Sequence, residues 1–570
     1  MTQARSPDVD VLVVGAGPVG LALANELGLH SVRCLVVEQR RKVGNSPRAK
    51  LTNVRTAELL RRWGLADELR QASSMPRQQP SNVIFTTSLT GHVLARFENA
   101  FYRLEQRSEL FSEPAQWVPQ YTLEEVLERG ALRRSSVELR FDTRLDALQT
   151  ADDGVVATLS DVRTGARQEI SARYLIGADG GRSTVREQLG IPMQGIGAVA
   201  ANLNVLFRAP ALQAIYQRMP AIQYWTVNPQ ACALMGPVDD QGLWYLIAAR
   251  LGEDVADGDA EQARRLIRGA CGMDLDIEIV GIDPWYAHCL QAEHYGSDRV
   301  FLAGDACHMH PPFGGHGMNM GIGDAVDLGW KLAAMIHGWG GPALPDSYEQ
   351  ERRPVHRQVM DESNANYQLA GTGLLRDDLD VEGPTGAAAR EALGQQILRE
   401  KRREFFNLGL VLGYRYGSSP IVAADTDTTP ATGLSLDYVP APRPGALAPH
   451  FWLRDGRSLF DAFGTGFTLL VDGSLSGDDG DRLARLADSA GIPLEVIRLD
   501  EARFAQLYRA RLALVRPDQH LAWLGDRLPD DAGALLARVV GGPPVRSNDA
   551  RRRVSPPPVH PAASARHGAA

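Results

Sequence analysis

The chain has 570 residues, 44% of them hydrophobic and 23% charged, which predicts several globular domains, each able to bury its own core. A formal net charge of -9 argues against a nucleic-acid partner, and no uninterrupted apolar run is long enough to span a membrane. The cysteines at 34, 232, 271, 289 and 307 follow neither a metal-ligand nor a disulfide-framework spacing, which fits a reducing cytoplasm. Arg5 precedes an apolar stretch, but Asp8, Asp10 and closely spaced glycines argue against a signal peptide.

Val11 to Val14 read as a buried strand. GAGPVG follows, with Gly15, Gly17 and Gly20, and a helix runs from about Pro18 to Leu29. A second strand, Cys34 to Val37, ends in Glu38, 18 residues past Gly20. Strand, glycine turn, helix and acid in this order form the dinucleotide fingerprint in its βαβ context. The first glycine permits the tight turn, the second admits a pyrophosphate, and the third lets the helix sit on the strand. His30-Ser31 end that helix where a glycine is more usual.

Ser46 to Trp63 leads through Pro47 and Arg48 into a helix; Arg48 fits either a cofactor contact or a solvated arginine. Val83 to Phe97 alternates and turns near Thr90-Gly91, which predicts a β-hairpin inserted into the nucleotide domain. Gln116 to Arg129 starts a helix, where Gln120 fits either a phosphate or ribityl contact or a cap. Val137 to Val162 reads as a β-meander turning at Asp152-Asp153-Gly154. Tyr174 to Gly190 is a strand ending in Asp179-Gly180, with Arg182 and Arg186 just beyond. From Ala201 to Arg250 the alternation predicts a mostly antiparallel sheet with one face over a ligand. Tyr224, Trp225, Trp244 and Tyr245 there fit either pocket lining or core.

Val300 to Ala303 form another short buried strand, closed by Gly304-Asp305. Pro311, Pro312, Gly314, Gly315 and Gly317 make a loop where backbone can approach a ligand. Ala325, Leu328, Leu332 and Ile336 then keep helical spacing. A glycine-rich loop feeding a helix N-terminus suits an anionic ligand. A Thr/Pro/Ala-rich linker at about 423–444 precedes a last domain of βαβ then ββα order, thioredoxin-like and without cysteine, so dithiol chemistry there is excluded. Beyond Gly542 the chain lacks periodicity, which predicts disorder.

GAGPVG with Glu38, GADGGRSTVR, and GDACHMHPPFGGHGMNMGIGDAVDLGWKLA together resemble the single-component FAD-dependent aromatic hydroxylases (class A flavoprotein monooxygenases). The resemblance is to the phenol, 3-hydroxyphenylpropionate and polyketide hydroxylase type with a thioredoxin-like C-terminal domain. It covers about residues 9–360 and continues weakly in LGYRYGSSP and RPDQHLAWLGD. It implies an α/β fold: a Rossmann-like FAD-binding domain of p-hydroxybenzoate hydroxylase type, an interleaved β-sheet substrate domain, and the thioredoxin-like domain. The implied limits are 1–190 and 291–365 for the FAD-binding domain and 191–290 for the substrate sheet. A helical segment at 366–422, the linker at 423–444, the cysteine-free domain at 445–542 and the tail at 543–570 complete the chain.

The implied activity is hydroxylation of a phenolic or polyketide-like ring with NADPH or NADH and O2, through a C4a-hydroperoxyflavin. Baeyer–Villiger or epoxidising chemistry on the same fold, or a non-oxygenating flavoprotein, stays open. By the resemblance Gly15, Gly17, Pro18, Gly20, Glu38 and Gln39 hold the ADP half of FAD. Arg48, Gln120, Asp179 and Gly180 lie near the cofactor, Asp305 bonds the ribityl chain, and Pro312, Gly315, Gly317, Met318 and Asn319 flank the flavin ring. His316 stands where many relatives have Gln, and Lys50 where phenol hydroxylase has Asp, so no catalytic base is assigned. His316 and Tyr224 are weak candidates, with His308 and His310 nearby. NAD(P)H is expected in a groove lined by Arg48 and Asp179 to Arg186, because no second fingerprint is present. The cysteine-free domain is expected to serve solubility or oligomerisation before flavin chemistry, and a homodimer is compatible with the sequence.

Overall fold

Five strands run parallel through one sheet, in the order Val300–Leu302, Arg167–Gly177, Val9–Val14, Cys34–Val37, Val137–Arg140. Both faces are covered, so their residues are apolar without alternation: Val11, Leu12, Val13 and Leu35 are all fully buried. The computed structural model describes residues 7–41, 47–75, 79–104, 107–251, 259–369, 371–425, 435–475 and 477–543. The expected tail, from residue 544 on, and the middle of the expected linker lie outside the described residues.

Helix α1 (Pro18–Leu29) and helix α2 (Gly317–His337) cross on one face of this sheet. Glycines set their approach: a Cβ at Gly329 would meet Cγ of Glu26 at 2.8 Å, and one at Gly321 would meet Val19 at 2.5 Å. Helix α1 ends on His30, and Ser31 takes the left-handed conformation (φ 58) that a glycine would have supplied. Helix α3 (Ala343–Gln368) packs on α2 and leads away from the sheet.

Two sequence expectations are corrected here. The segment Val137–Arg140 does not begin a meander. The preceding helix Gln120–Leu132 carries it across to pair in parallel with Cys34–Val37 at the sheet edge, and only Thr143–Ala151, Gly154–Asp161 and Arg167–Gly177 form the antiparallel run. The hairpin of Val83–Thr86 and Val93–Phe97 exists, but it belongs to the substrate sheet, through parallel pairing of Val83–Thr86 with Gln223–Thr226. Val83, Ile84 and Phe85 alternate faces and are all buried, which a two-stranded appendage could not provide.

That second sheet has eight strands, mostly antiparallel, built around Met193–Arg208, Leu243–Leu251 and Glu278–Ala292. One face packs Tyr224, Met235 and Trp244 into a core with the helix Ala260–Cys271. The other face carries Trp225, Leu234 and Tyr245 toward the loop before α2 and the helices after α3.

The C-terminal sheet has the order Leu494–Leu499, Phe467–Asp472, Leu512–Val515, Leu521–Gly525. The first two strands are parallel and the rest antiparallel, as the βαβ-then-ββα reading requires. A helix at Ala502–Tyr508, unanticipated from the sequence, joins the halves. The turn after Leu512–Val515 is not a free surface: Arg516, Asp518, Gln519 and His520 are each at most 2% exposed. All five cysteines are free.

Candidate active site

The three fingerprint glycines have separate jobs. A Cβ on Gly15 would meet the Ala178 carbonyl oxygen at 2.4 Å, and one on Gly20 the Gly15 carbonyl oxygen at 1.9 Å; both positions are closed by backbone. Around Gly17 no atom lies within 4 Å of the added carbon, so this one glycine opens onto free space at the N-terminus of α1. Neither α1 nor α2 has a side-chain cap or an acid in its first turn, so both helix N-termini keep their free N–H groups for a ligand. Pro18 occupies the first turn of α1. Glu38 accepts from the Ala16 N–H at 3.0 Å and from the Arg40 N–H at 3.0 Å, one bond to each oxygen, which leaves lone pairs for a ribose hydroxyl. Gln39 beside it is exposed.

Asp305 sits in a helical turn at the carboxyl end of Val300–Leu302. The turn needs Gly304 (φ 64), where a Cβ would press on Val19 of α1 at 2.8 Å. The surrounding protein pushes the Asp305 carboxyl up, opposed by His308 and then Arg48, yet its side chain is exposed and makes no hydrogen bond to a described residue. A carboxylate deep in the fold and still accessible marks a cleft. Arg48 is exposed and acts on both Asp305 and Glu124, which puts it on the same cleft. Gln120 accepts from the Ala49 N–H at 3.3 Å and donates to Glu124 at 2.8 Å, so it anchors the segment that carries Arg48.

The Asp179 turn is mainly a cap. One Asp179 oxygen accepts from the Val185 N–H at 3.1 Å, and the other is buried without a partner among the described residues. Burial pushes this carboxyl up. Gly180 (φ 82) makes the turn and opens onto free space. Arg186 is not available to a nicotinamide nucleotide. It is 7% exposed and donates to the carbonyls of Ala306 at 3.0 Å and Gly181 at 3.1 Å, tying the Asp179 turn to the Asp305 turn.

The loop before α2 is held from beneath. Asn319 accepts from the Asn53 N–H at 2.9 Å and donates to the carbonyls of Leu51 at 2.9 Å and Gly315 at 2.6 Å. Its side chain is therefore a clamp between α2 and Leu51–Thr52, not a free ligand group. Gly315 (φ 69) lies against Leu51, while Pro312 is exposed and Gly317 and Met318 are half-buried at the helix start.

The weak catalytic candidates do not face this cleft. His316 is 2% exposed, accepts from Asn407 at 3.3 Å, and is pulled down to about 3 by burial and then by His310, so it stays neutral. Tyr224 is fully buried in the far core and donates to the Met219 carbonyl at 2.6 Å. His310 is pulled down to about 4 by burial. His308 bonds Asp324 at 2.8 Å. Asp324 also accepts from Arg352 at 2.7 Å and from the Gly304 N–H at 3.1 Å, and lies 2.9 Å from His356. Burial opposes its ionisation, but His356, Arg352 and His308 hold its carboxyl well below the usual range. This cluster pins the Asp305 turn to α2 and α3. Sequence reasoning missed it; its one signal was acids at 324 and 327 inside an otherwise apolar helix.

Between the substrate sheet and the loop lies a narrow apolar crevice lined by Trp225, Leu234, Ile247, Ala249, Phe313 and Leu374. Trp225 stacks on Phe85 at 5.4 Å and meets Phe313 at 5.7 Å. A larger cleft of about 760 Å³ beside α3 holds none of the cofactor or catalytic candidates.

Open glycine, two uncapped helix N-termini and a deep accessible carboxylate fit FAD, and the comparisons agree. Residues 8–363 match the family described as FAD binding domain, and residues 441–543 the family described as aromatic-ring hydroxylase, C-terminal. The chain belongs to the FAD-dependent aromatic-ring hydroxylases. It is 35% identical to tetracenomycin B2 monooxygenase-dioxygenase of Streptomyces olivaceus, over 94% of this chain and 98% of that one. RebC, soaked with chromopyrrolic acid and holding 7-carboxy-K252c, superposes with a TM-score of 0.85 at 37% identity, over 94% of this chain and 99% of that one. Aklavinone-11 hydroxylase with FAD and aklavinone gives 0.80 at 30% identity, over 94% and 100%. This hydroxylase is thus an FAD-dependent monooxygenase, and aromatic hydroxylation is its reaction class.

Proposed function

We propose that this enzyme hydroxylates a flat, fused-ring phenol of polyketide type, with NADPH or NADH as electron donor. The observation that carries the substrate class is the aromatic crevice, where Trp225 on the sheet faces Phe313 on the loop before α2. Trp225 and Phe313 touch each other here, so a flat ring system enters only where these two rings part, and it does so with little loss of internal freedom. The relatives whose names specify tetracenomycin B2 and aklavinone support the same class. Bound FAD supplies the passage of electrons from NAD(P)H to O2 and the oxygen-transfer chemistry.

The chain's own residues do the rest. Gly15, Gly17, Pro18, Gly20, Glu38 and Gln39 receive the ADP half. Asp305 takes the ribityl chain, with Arg48 and the Gly180 turn on the same cleft. Pro312, Gly315, Gly317 and Met318 present backbone at the flavin ring, Asn319 holds that backbone in place, and Gln120 holds Ala49 beside Arg48. The uncapped start of α2 offers positive potential to a ring that gains negative charge on reduction. Trp225 and Phe313 exclude water and set which ring carbon faces the flavin. The five free thiols support a cytoplasmic location.

A panel of simple phenols and fused-ring polyketides, scored by NAD(P)H consumption and product mass, tests the reading. Gain of one oxygen by a fused-ring phenol, with matched NAD(P)H use, is expected; turnover confined to single-ring phenols overturns the substrate class. Asp305→Ala is expected to keep the fold and lose FAD affinity by about tenfold or more, since a charge-assisted hydrogen bond contributes about 1.5–3 kcal/mol. Equilibrium dialysis of the apoprotein with FAD reads this directly.

A further inference from the structure

The cleft of about 760 Å³ beside α3 serves neither the cofactor nor the crevice, yet its walls are charged. Along α3 the side chains that line it come in a fixed order: Asp346 and Glu349, then Arg353 and Arg357, then Asp361. Asp298 joins them from the turn between Gly296–Ser297 and Val300–Leu302. Glu349 is engaged by the Tyr295 N–H at 2.9 Å and by His294 at 3.5 Å. Asp298, Asp346, Asp361, Arg353 and Arg357 have no ion pair among the described residues. The Nε of Arg353 is moreover buried with no hydrogen-bond partner among them. The buried arginines Arg55, Arg352 and Arg516 are each matched by a carboxylate. An unmatched row of alternating charge, with a buried donor left over, points to a ligand that carries charges of its own.

The chain delivers such a ligand to the rim of this cleft. After the last helix, Ala532–Val539, the Gly341 N–H donates to the Val540 carbonyl at 2.6 Å and the Ala343 N–H to the Gly541 carbonyl at 3.0 Å. A Cβ on Gly341 would meet the carbonyl oxygens of Gly541 and Gly542 at 2.4 Å, so the two backbones are packed together. The tail from residue 544 on therefore departs beside the first turn of α3, next to Pro345 and Asp346 of the cleft. Its charges read plus, minus, plus: Arg546, then Asp549, then Arg551, Arg552 and Arg553. The α3 wall reads minus, plus, minus in the same direction. The reach matches as well. From Pro543 to Arg552 an extended chain covers about 30 Å, and from Ala343 to Asp361 the helix rises about 27 Å. Asp549, about 20 Å along the tail, comes level with Arg353 and Arg357, about 15–21 Å along the helix.

We infer that residues 546–553 of the chain's own tail dock in this cleft as a strap, with Arg546 on Asp346, Asp549 on Arg353 and Arg357, and the arginine triad on Asp361 and Asp298. Single exposed ion pairs hold little, but here several act in register. The short tether from Gly542 keeps the tail at high effective concentration, which favours its own cleft over that of a second copy. The strap fastens the last helix to α3 from outside. On its inner side α3 presents Glu351 to Arg516 and Arg352 to Asp324, so the strap braces the layer that carries the Asp305 turn.

Trypsin cuts after arginine, so the triad at 551–553 reports its own docking. Full-length, FAD-loaded protein is digested at low salt beside a free peptide of residues 546–570, and loss of the tail is timed by intact mass. The ratio of the two rates is the protection. Cleavage follows the undocked population, so protection of at least about tenfold is expected in wild type. It should not change with protein concentration. It should fall toward one at about 1 M salt, where the Debye length is about 3 Å. The combined variant Asp298→Asn, Asp346→Asn and Asp361→Asn should lose it at low salt, with flavin absorbance retained as the sign of a folded protein. Asp549→Ser, which lies in the tail and leaves the cleft untouched, should lower it as well, so the result does not hang on the folding of the cleft variant. A triad cut in wild type as fast as in the free peptide overturns the inference. So does protection that survives in both the cleft and the tail variants. Protection that rises with protein concentration shows the tail of a second copy in the cleft and overturns the strap within one chain.

Discussion

Gly17 and Gly20 show how residues three apart in one motif answer to different forces. Gly20→Ala would drive a Cβ into the Gly15 carbonyl, with 1.9 Å between them, and should cost about 3 kcal/mol of stability, read as a lowered urea midpoint. Gly17→Ala meets nothing within 4 Å, so its cost is only that of alanine at the N-cap of α1, about 0.5–1 kcal/mol. Its methyl group would instead occupy the space expected for the pyrophosphate, and FAD affinity should fall by about tenfold or more. Equal loss of stability in both variants would show that Gly17 is a packing residue. Glu26 gives the pH-dependent counterpart. It is fully buried on α1, bonded to Trp63 at 2.6 Å, Arg62 at 3.1 Å and His30 at 3.2 Å. Burial alone would raise its pKa, but Arg62 and His30 outweigh it and bring the carboxyl to about 2. A depressed folded value means that stability is present above the unfolded value near 4.5 and is lost as pH falls toward about 2. The window corresponds to about 3 kcal/mol. Glu26→Gln should flatten the stability profile between those limits, as followed by denaturant unfolding at each pH.

Among elements, the turn that begins at Arg516 has the most consequence. Arg516 donates to Glu351 on α3 at 2.6 and 2.8 Å, to Asp327 on α2 at 3.1 Å, and to Asp518 at 2.6 Å, with Lys331 completing the group. Three carboxylates face two full cations; burial pushes Asp327 well above the carboxylate range, so a shared proton relieves the excess. Arg55, beneath the cofactor loop, donates to Gln519 at 2.7 Å and to the Asp518 carbonyl at 2.9 Å. The C-terminal domain, expected to serve solubility or oligomerisation before flavin chemistry, thus sends its turn into the α2–α3 layer as a cationic plug. Arg516→Met leaves Glu351 and Asp327 short of a buried partner and should cost about 3–5 kcal/mol. FAD should dissociate at lower temperature in the variant, monitored by the rise in flavin fluorescence. Truncation before Arg443 should abolish FAD binding outright, where an independent appendage would leave it intact.

For the whole molecule, one nucleotide fingerprint must serve a reaction that uses two nucleotides. Arg186 is committed to backbone carbonyls, so the groove expected for NAD(P)H keeps Arg48 and Arg182 as its exposed cations. A donor with no fold of its own should be held lightly and should react usefully only when an aromatic ring is already in the crevice. Substrate should speed flavin reduction by at least about tenfold, which needs only about 1.4 kcal/mol of preference for the reducible arrangement. Anaerobic stopped flow with saturating NADPH, with and without substrate, measures it; equal rates would remove the gating and leave the hydroxylase assignment untouched.

The fingerprint, the strand ends at Asp179-Gly180 and Gly304-Asp305 and the cysteine-free domain were legible in the chain because each is written in local spacing: a glycine where backbone must pass, an acid where a strand stops, a period of two or of 3.6. The reaction class followed from those motifs in order. What lay beyond the sequence was every arrangement that joins distant segments. The hairpin at 83–97 changed domain because strand pairing is chosen by which sheet buries both of its faces. Arg186, Asn319 and His316, plausible ligands as letters, are engaged by the backbone of Ala306 and Leu51 or by Asn407, and a bond to a residue scores of positions away leaves no trace in spacing. Lys50 is the reverse case. Its identity was plain, but only the fold decided that this lysine would be buried, enclosed by the Pro47 and Arg48 carbonyls and the Tyr245 ring.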